Sequence, residues 1–222
     1  MAELINRRTI SQEGIEYDLY NLPEGFVIKG GLDLGRNMYM KLPDLSKVIV
    51  EGDFDCRGCH LKSFVGAPKK VTGDFNGFGN EVTSLEGMTE EVGGNCNLSR
   101  NKLTSLEGSL RKVGNSLNLD RNPQLTSLEH IPEVGYAILC EETGVTSLAG
   151  ISKADTVFCK ASVAKQYFED GKYADRDDND LCMLSFAEVK KSARFKAQNS
   201  ALERKNSSQK LDLGKIVGGR DL

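Results

Sequence analysis

Apolar residues in this chain return in a fixed phase. Ile28, Val50, Val71, Val92, Val113 and Val134 open six successive segments. Leu32, Phe54, Phe75, Cys96, Leu117 and Ile138 follow four residues later, and Leu34, Cys56, Gly77, Leu98, Leu119 and Cys140 two residues after that. The alternation predicts one short strand per segment, with these columns on one side and the intervening residues on the other. Each segment closes on a second apolar pair, as in Val82 with Leu85, Leu103 with Leu106, Leu125 with Leu128 and Val145 with Leu148. Turn chemistry follows at Glu86-Gly87, Glu107-Gly108 and Ala149-Gly150.

The period is nearly constant. The serine of a shared Thr-Ser-Leu falls at Ser84, Ser105, Ser127 and Ser147, with Ser63 as its equivalent, at intervals of 21, 21, 22 and 20 residues. Repeats of this length stack into a solenoid, here an array of about six to seven units over residues 22–160. A polar column runs through it at Asn37, Cys59, Asn80, Asn101, Asn122 and Thr143. Where a solenoid chain turns inward it leaves backbone groups facing the core. A stacked ladder of side chains with hydrogen-bonding capacity is expected to satisfy them.

The run LPEGFVIKGGLDLGRN from Leu22 to Asn37, and later segments such as VGGNCNLSRNKLTSLEG from Val92, resemble short bacterial and bacteriophage leucine-rich repeats. The resemblance implies a leucine-rich-repeat solenoid: short parallel strands lining one side, an irregular convex side, and a helical cap, helix and tail at the C-terminal end. It implies little about function, because such repeats are scaffolds used for unrelated tasks.

Both ends depart from the pattern. In residues 1–21, Ile15, Tyr17 and Leu19 alternate with Glu16 and Asp18, which predicts a half-buried strand covering the first edge of the array. Ile151–Cys159 reads as a last degraded repeat, with Val157 and Cys159 in phase with Ile138 and Cys140. Residues 161–184 read as a helical cap and an acidic loop. The cap is a short helix from Ala161 to Asp170 carrying Val163, Tyr167 and Phe168 and ended by Gly171, and the loop covers residues 171–180. Residues 185–222 read as a basic helix and tail. Ser185 and Glu188 fit a capping box, and the helix runs to about Arg204 with a thin stripe of Phe186, Val189, Ala193, Ala197 and Ala201. The stretch from Asn206 onward is expected to be disordered, and the helix either docks on the last turn or orders on a partner.

Charge adds one asymmetry. The net charge of -3 and pI near 5.6 argue against a nucleic-acid partner. Residues 186–222 nevertheless carry nine Lys or Arg against four Asp or Glu, a balance of +5 that leaves -8 for residues 1–185. No apolar core of seven or more residues follows Met1, and no run of about 18 apolar residues occurs, so neither a secretory signal nor a membrane span is expected. Most of the six cysteines, at 56, 59, 96, 140, 159 and 182, sit in phase with the core columns, where Cys acts as a small hydrophobe. Reduced thiols and a cytoplasmic location fit together.

Chemistry-bearing motifs fail on inspection. Asp175, Asp177 and Asn179 echo a calcium loop, but its Gly and Glu positions hold Asp180 and Phe186. Cys56-Arg-Gly-Cys59-His60 contains a C-x-x-C pair, yet Cys56 belongs to a core column and Cys59 to the ladder, and no second pair has zinc spacing. The glycines near Val92 recur with the repeat and match no phosphate-binding signature. With two histidines in the chain, neither catalysis nor a metal or other cofactor is expected.

A surface remains. Residues facing away from the core form columns on what should be the concave side: Asp33, Asp53, Asp55, Asp74 and Asp120 with Asn76, Asn97 and Asn118 make it acidic and amide-rich. Arg57 and Phe78 are its large side chains. A concave sheet of short side chains admits a protruding element of a protein partner, with Phe78 as anchor. The expected function is a non-catalytic protein-binding module of bacterial or phage type. It would act on a host protein in the cytoplasm, inhibition of a defence system included, through this face and the basic helix. A structural or virion component is the alternative. An effector-type enzyme adaptor fits less well, since only about 63 residues, with Cys182 alone, follow Cys159.

Overall fold

The computed structural model describes residues 3–4, 9–168, 174–176 and 181–217. The chain winds as a parallel β-solenoid in which each turn supplies two short strands to two different sheets. The first sheet has six strands: Val27–Lys29, Ile49–Glu51, Lys70–Val71, Glu91–Val92, Lys112–Val113 and Glu133–Val134. The second begins with Leu32–Asp33, Phe54–Asp55, Phe75–Asn76, Cys96–Asn97, Leu117–Asn118 and Ala137–Leu139. The alternation had implied a single strand carrying both apolar columns. Instead the chain bends between them, through residues 93–95 in one turn. Glycines make the bend possible: a methyl on Gly93, Gly114 or Gly135 would collide with the carbonyl oxygen of Thr72, Gly93 or Gly114 one turn back.

Stacking is strictly in register. Val71, Val92 and Val113 lie side by side across the first sheet, as do Phe75, Cys96 and Leu117 across the second. The apolar columns, including the closing pairs, fill one continuous core. Gly77 stands where other turns hold leucine, and the space is taken by the Phe64 ring, packed edge-on against Phe75 at 5.3 Å. A β-carbon at Gly77 would lie 2.8 Å from that ring.

The N-terminal cap is a three-stranded antiparallel sheet of Glu3–Leu4, Thr9–Gln12 and Ile15–Asp18. Gln12 closes the open edge of the first turn: its Nε2 donates to Val27 O at 3.1 Å and its Oε1 accepts from Lys29 N at 2.8 Å. Ile10 and Leu19 are buried, but Ile15, beside the Glu13-Gly14 hairpin turn, is 56% exposed rather than half-buried.

The C-terminal end departs further from expectation. Thr156–Lys160 continues the second sheet in parallel, with Val157 opposite Ile138. Leu181–Ser185 and Ala174–Arg176 then add as antiparallel strands, so the stretch read as an acidic loop holds a strand. Asp177, Asn179 and Gly171 lie outside the described residues. The expected cap helix is the single turn α1 (Ala161–Ala164), followed by Tyr167, whose hydroxyl accepts from Leu148 N at 2.7 Å.

The basic helix divides in two, α2 (Phe186–Val189) and α3 (Ala193–Val217). Ser185 makes no side-chain capping bond. The alanine stripe is not the buried face: Ala193, Ala197 and Ala201 are exposed, and Phe195 is buried against Phe186 and Tyr167. The break after Val189 rotates the second helix, so the buried face passes to Phe195, Gln198 and Asn199. The helix also runs through residues 206–217, which had been expected to be disordered; residues 218–222 lie outside the description. Among the described residues no helix is long and apolar enough to cross a membrane.

Candidate binding face

The polar ladder sets the frame on which the face is built. Asn101 Nδ2 donates to Gly77 O and Leu98 O, both at 3.0 Å, while its Oδ1 accepts from Val82 N at 3.2 Å. Asn122 repeats the pattern with Leu98 O, Leu119 O and Leu103 N, and Asn80 with Cys56 O, Gly77 O and two amides, Cys59 N and Leu61 N. Cys59 keeps the column with its thiol, 3.1 Å from Leu34 O, and Thr143 with its hydroxyl on Cys140 O at 2.7 Å. Asn37, in the first turn, makes one longer bond to Leu34 O at 3.3 Å.

The residue before each ladder position is left-handed in every turn. Arg36, Gly58, Gly79, Arg100, Arg121 and Glu142 have φ between 47° and 67°. Glycine is the residue that tolerates this conformation without cost, and two turns use it. Gly58 and Gly79 were the one sequence signal for this column, and the arginines masked it.

The outward face of the second sheet is tied down by its own polar side chains. Asp33, Asp55, Asn76, Asn97 and Asn118 each fold back so that Oδ1 accepts the amide two residues on, at 2.8 to 3.2 Å. In the bends, Asp53 Oδ1 accepts Asp74 N at 2.8 Å and Asp74 Oδ1 accepts Asn95 N at 2.7 Å, linking successive turns. Asp120 does the same for Glu141 N at 2.7 Å. The candidate acidic and amide residues are therefore brought together on one face, and each of the eight is engaged with backbone. Ser99 and Ala137, which alternate with the core columns in the same way, are buried instead.

Two large side chains stand out from this lattice. Arg57 Nε lies 3.3 Å from Asp55 Oδ2. Phe78 is 36% exposed, and the Arg100 guanidinium sits 5.7 Å from its ring centre. Beside them a cleft of about 230 Å³ is bounded by Phe78, Arg100, Asn118, Asp120, Arg121 and Glu142 among others. Desolvation pushes the carboxyls of Asp55 and Asp120 above the usual range, although both are partly offset by bonds from backbone amides.

The thiols sit in the core, all six buried and none in a disulfide. Burial raises the pKa of Cys56, Cys59, Cys96 and Cys140, and that of Cys159 to about 12, which disfavours the reactive thiolate. Among the described residues no three His, Cys, Asp or Glu side chains are grouped to hold a metal ion. Comparison with protein-family models, with curated proteins and with solved structures finds no match to this chain.

Proposed function

We propose that this chain is a non-catalytic leucine-rich-repeat module that binds a protein through the outward face of its second sheet. It is an accessory protein of bacterial or phage type, directed at a host protein in the cytoplasm. The leucine-rich-repeat assignment rests on the repeat period and on the ladder in which Asn80, Asn101 and Asn122 each bond to the preceding turn. A second parallel sheet takes the place of the irregular side such repeats were expected to have.

The observation that carries the binding reading is the Phe78–Arg100 pair. An exposed aromatic ring with a guanidinium above it, beside a small cleft, has the make-up of an interface anchor, since aromatic side chains and arginine dominate binding energies. Arg100 also holds a left-handed backbone where two other turns have glycine. Arg36, Arg121 and Glu142 hold the same conformation in other turns, and glycine can take it without strain, so Arg100→Gly removes the guanidinium without cost to the fold. The lattice around the pair is held by its own hydrogen bonds, so little side-chain freedom is lost on binding. Arg194 and Lys196, exposed on α3, extend a basic surface at the far end.

The test is affinity capture from candidate host lysates with the full chain and with Phe78→Ala and Arg100→Gly, read by mass spectrometry. A protein captured by the wild type and lost with both variants is expected, each anchor being worth about 2 kcal/mol. Both variants should unfold at the wild-type temperature or above. Capture that survives both substitutions ends the assignment of this face. A virion component would instead appear at fixed copy number in purified particles.

A further inference from the structure

We infer that a third side of the solenoid is a rail for basic amphipathic helices, and that its open N-terminal end takes such a helix from a partner protein. The chain supplies the precedent itself. α3 docks on the turn residues of the last repeats: Gly150 N donates to Asn199 Oδ1 at 3.1 Å, and Lys205 Nζ lies 3.5 Å from Glu129 Oε2. Phe195 fills the apolar contact beneath it, and Gln198 accepts from the Tyr167 hydroxyl at 2.6 Å.

Because the solenoid repeats, the same chemistry recurs along this side. The position of Gly150 is held by His130 in the turn before it and then by Gly108, Gly87 and Gly66, each of these glycines packed directly on the backbone of the turn before it. A floor without side chains lets a helix approach closely. The position of Glu129 is held by Glu107 and Glu86, both exposed, with no ion-pair partner among the described residues. This side is thus acidic from Glu129 back to Glu86, which complements a basic helix.

Its far end is also apolar. Tyr20, Met38, Met40 and Val65 are between 45% and 64% exposed and account for four of the seven large hydrophobics exposed among the described residues. Tyr20 and Val65 frame a groove of about 670 Å³ together with Tyr39, Leu42 and Pro43, with Gly66 and Gly87 also lining it, and Met38 and Met40 flank Tyr39 in the chain. Lys41 and Asp44 in its lining cancel in charge, and Glu86, next to the lining residue Gly87, is the first carboxylate of the acidic column. A concentration of exposed apolar surface of this kind marks an interaction site. An amphipathic helix laying its apolar side into a groove is a recurrent mode of recognition. Second-copy pairing through the start of α3 is disfavoured, because Phe195 is already buried within its own chain.

The experiment uses the full chain and a fluorescent Leu/Lys amphipathic peptide of about 18 residues, five helical turns. A Leu/Glu peptide of the same pattern and a scrambled Leu/Lys peptide serve as comparators. The Leu/Lys helix should bind, slowing hydrogen exchange across residues 39–46 and 65–88. Val65→Asp should weaken it roughly tenfold, the loss of one anchor. The double variant Glu86→Lys, Glu107→Lys should weaken it as well and keeps the test open if the first variant folds poorly. No binding, equal binding of the scrambled or acidic peptide, or protection confined to the outward sheet face would overturn the proposal. So would self-association in sedimentation that Val65→Asp abolishes, since the occupant would then be a second copy.

Discussion

Two columns in this molecule are made of nearly the same residues and have opposite duties. The inner ladder is asparagine at 80, 101 and 122; the outer lattice is Asp33, Asp55, Asn76, Asn97 and Asn118, only a few residues away in each turn. Inside, the three asparagines are at most 6% exposed, and each meets three or more backbone groups across two turns. Outside, each side chain accepts one amide, two residues ahead in its own turn, and water can replace that bond. An unmade hydrogen bond is costly where no solvent reaches it and cheap where it does. Burial, not residue type, separates the scaffold from the surface.

The ladder should therefore break the fold first. In Asn101→Leu two carbonyls and one amide lose their partners in the core, at about 1–3 kcal/mol each, and the wider side chain adds strain. A fall of several kcal/mol in the unfolding free energy, read as a lower denaturant midpoint, is expected. The same change at Asn37, half-buried with a single 3.3 Å bond, should cost markedly less. Equal losses at the two positions would mean that the number of ladder bonds does not set stability.

The repeat made the core legible. The apolar columns and the ladder follow from phase alone, because a residue one period away must sit one turn away. The second sheet was not legible, because period-two alternation continues through the bend at residues 93–95 and nothing in it marks where one strand ends. The left-handed column was hidden by Arg36, Arg100 and Arg121, and the docking face of α3 by three alanines at helical spacing. In that helix the contact is made by Phe195 with Gln198 and Asn199, polar residues that a hydrophobic stripe overlooks. The outer face was legible as a set of residues but not as a lattice, since an Asx turn and a free carboxylate look alike in sequence.

A smaller effect is expected on the outer lattice. Asn97 Oδ1 accepts both the amide and the hydroxyl of Ser99, at 3.1 and 2.7 Å, and Ser99 is itself buried. Asn97→Ala should cost about 2 kcal/mol, the ordinary worth of two such bonds, measured by urea unfolding. A loss as large as that of Asn101→Leu would erase the distinction between the two columns. Phe78→Ala should leave the midpoint in place, because its ring rests on Arg100 rather than on the core.

The smallest effect has the opposite sign. Asp55 stands in a column where three later turns use asparagine, so the geometry accepts an amide, and Oδ1 of Asn can still take the Arg57 amide. Desolvation raises the Asp55 carboxyl above its usual range, helped by the nearby charge of Asp33 and opposed by the bond from Arg57. A carboxyl raised in the folded state favours folding while it is protonated, below its unfolded value, and that contribution is lost as pH rises through the folded value. At neutral pH the charged form is thus a small liability that asparagine removes. Asp55→Asn should raise the melting temperature slightly near pH 7, and the gain should close as pH falls through the carboxylate range. Asp120→Asn should behave alike, since burial raises that carboxyl too and its Oδ1 acceptor for Glu141 N survives. Thermal melts of both variants from pH 7 to pH 3 decide the matter. A gain that grows on acidification would mean that these carboxylates are stabilised as anions, with the outer face built to hold charge rather than merely to tolerate it.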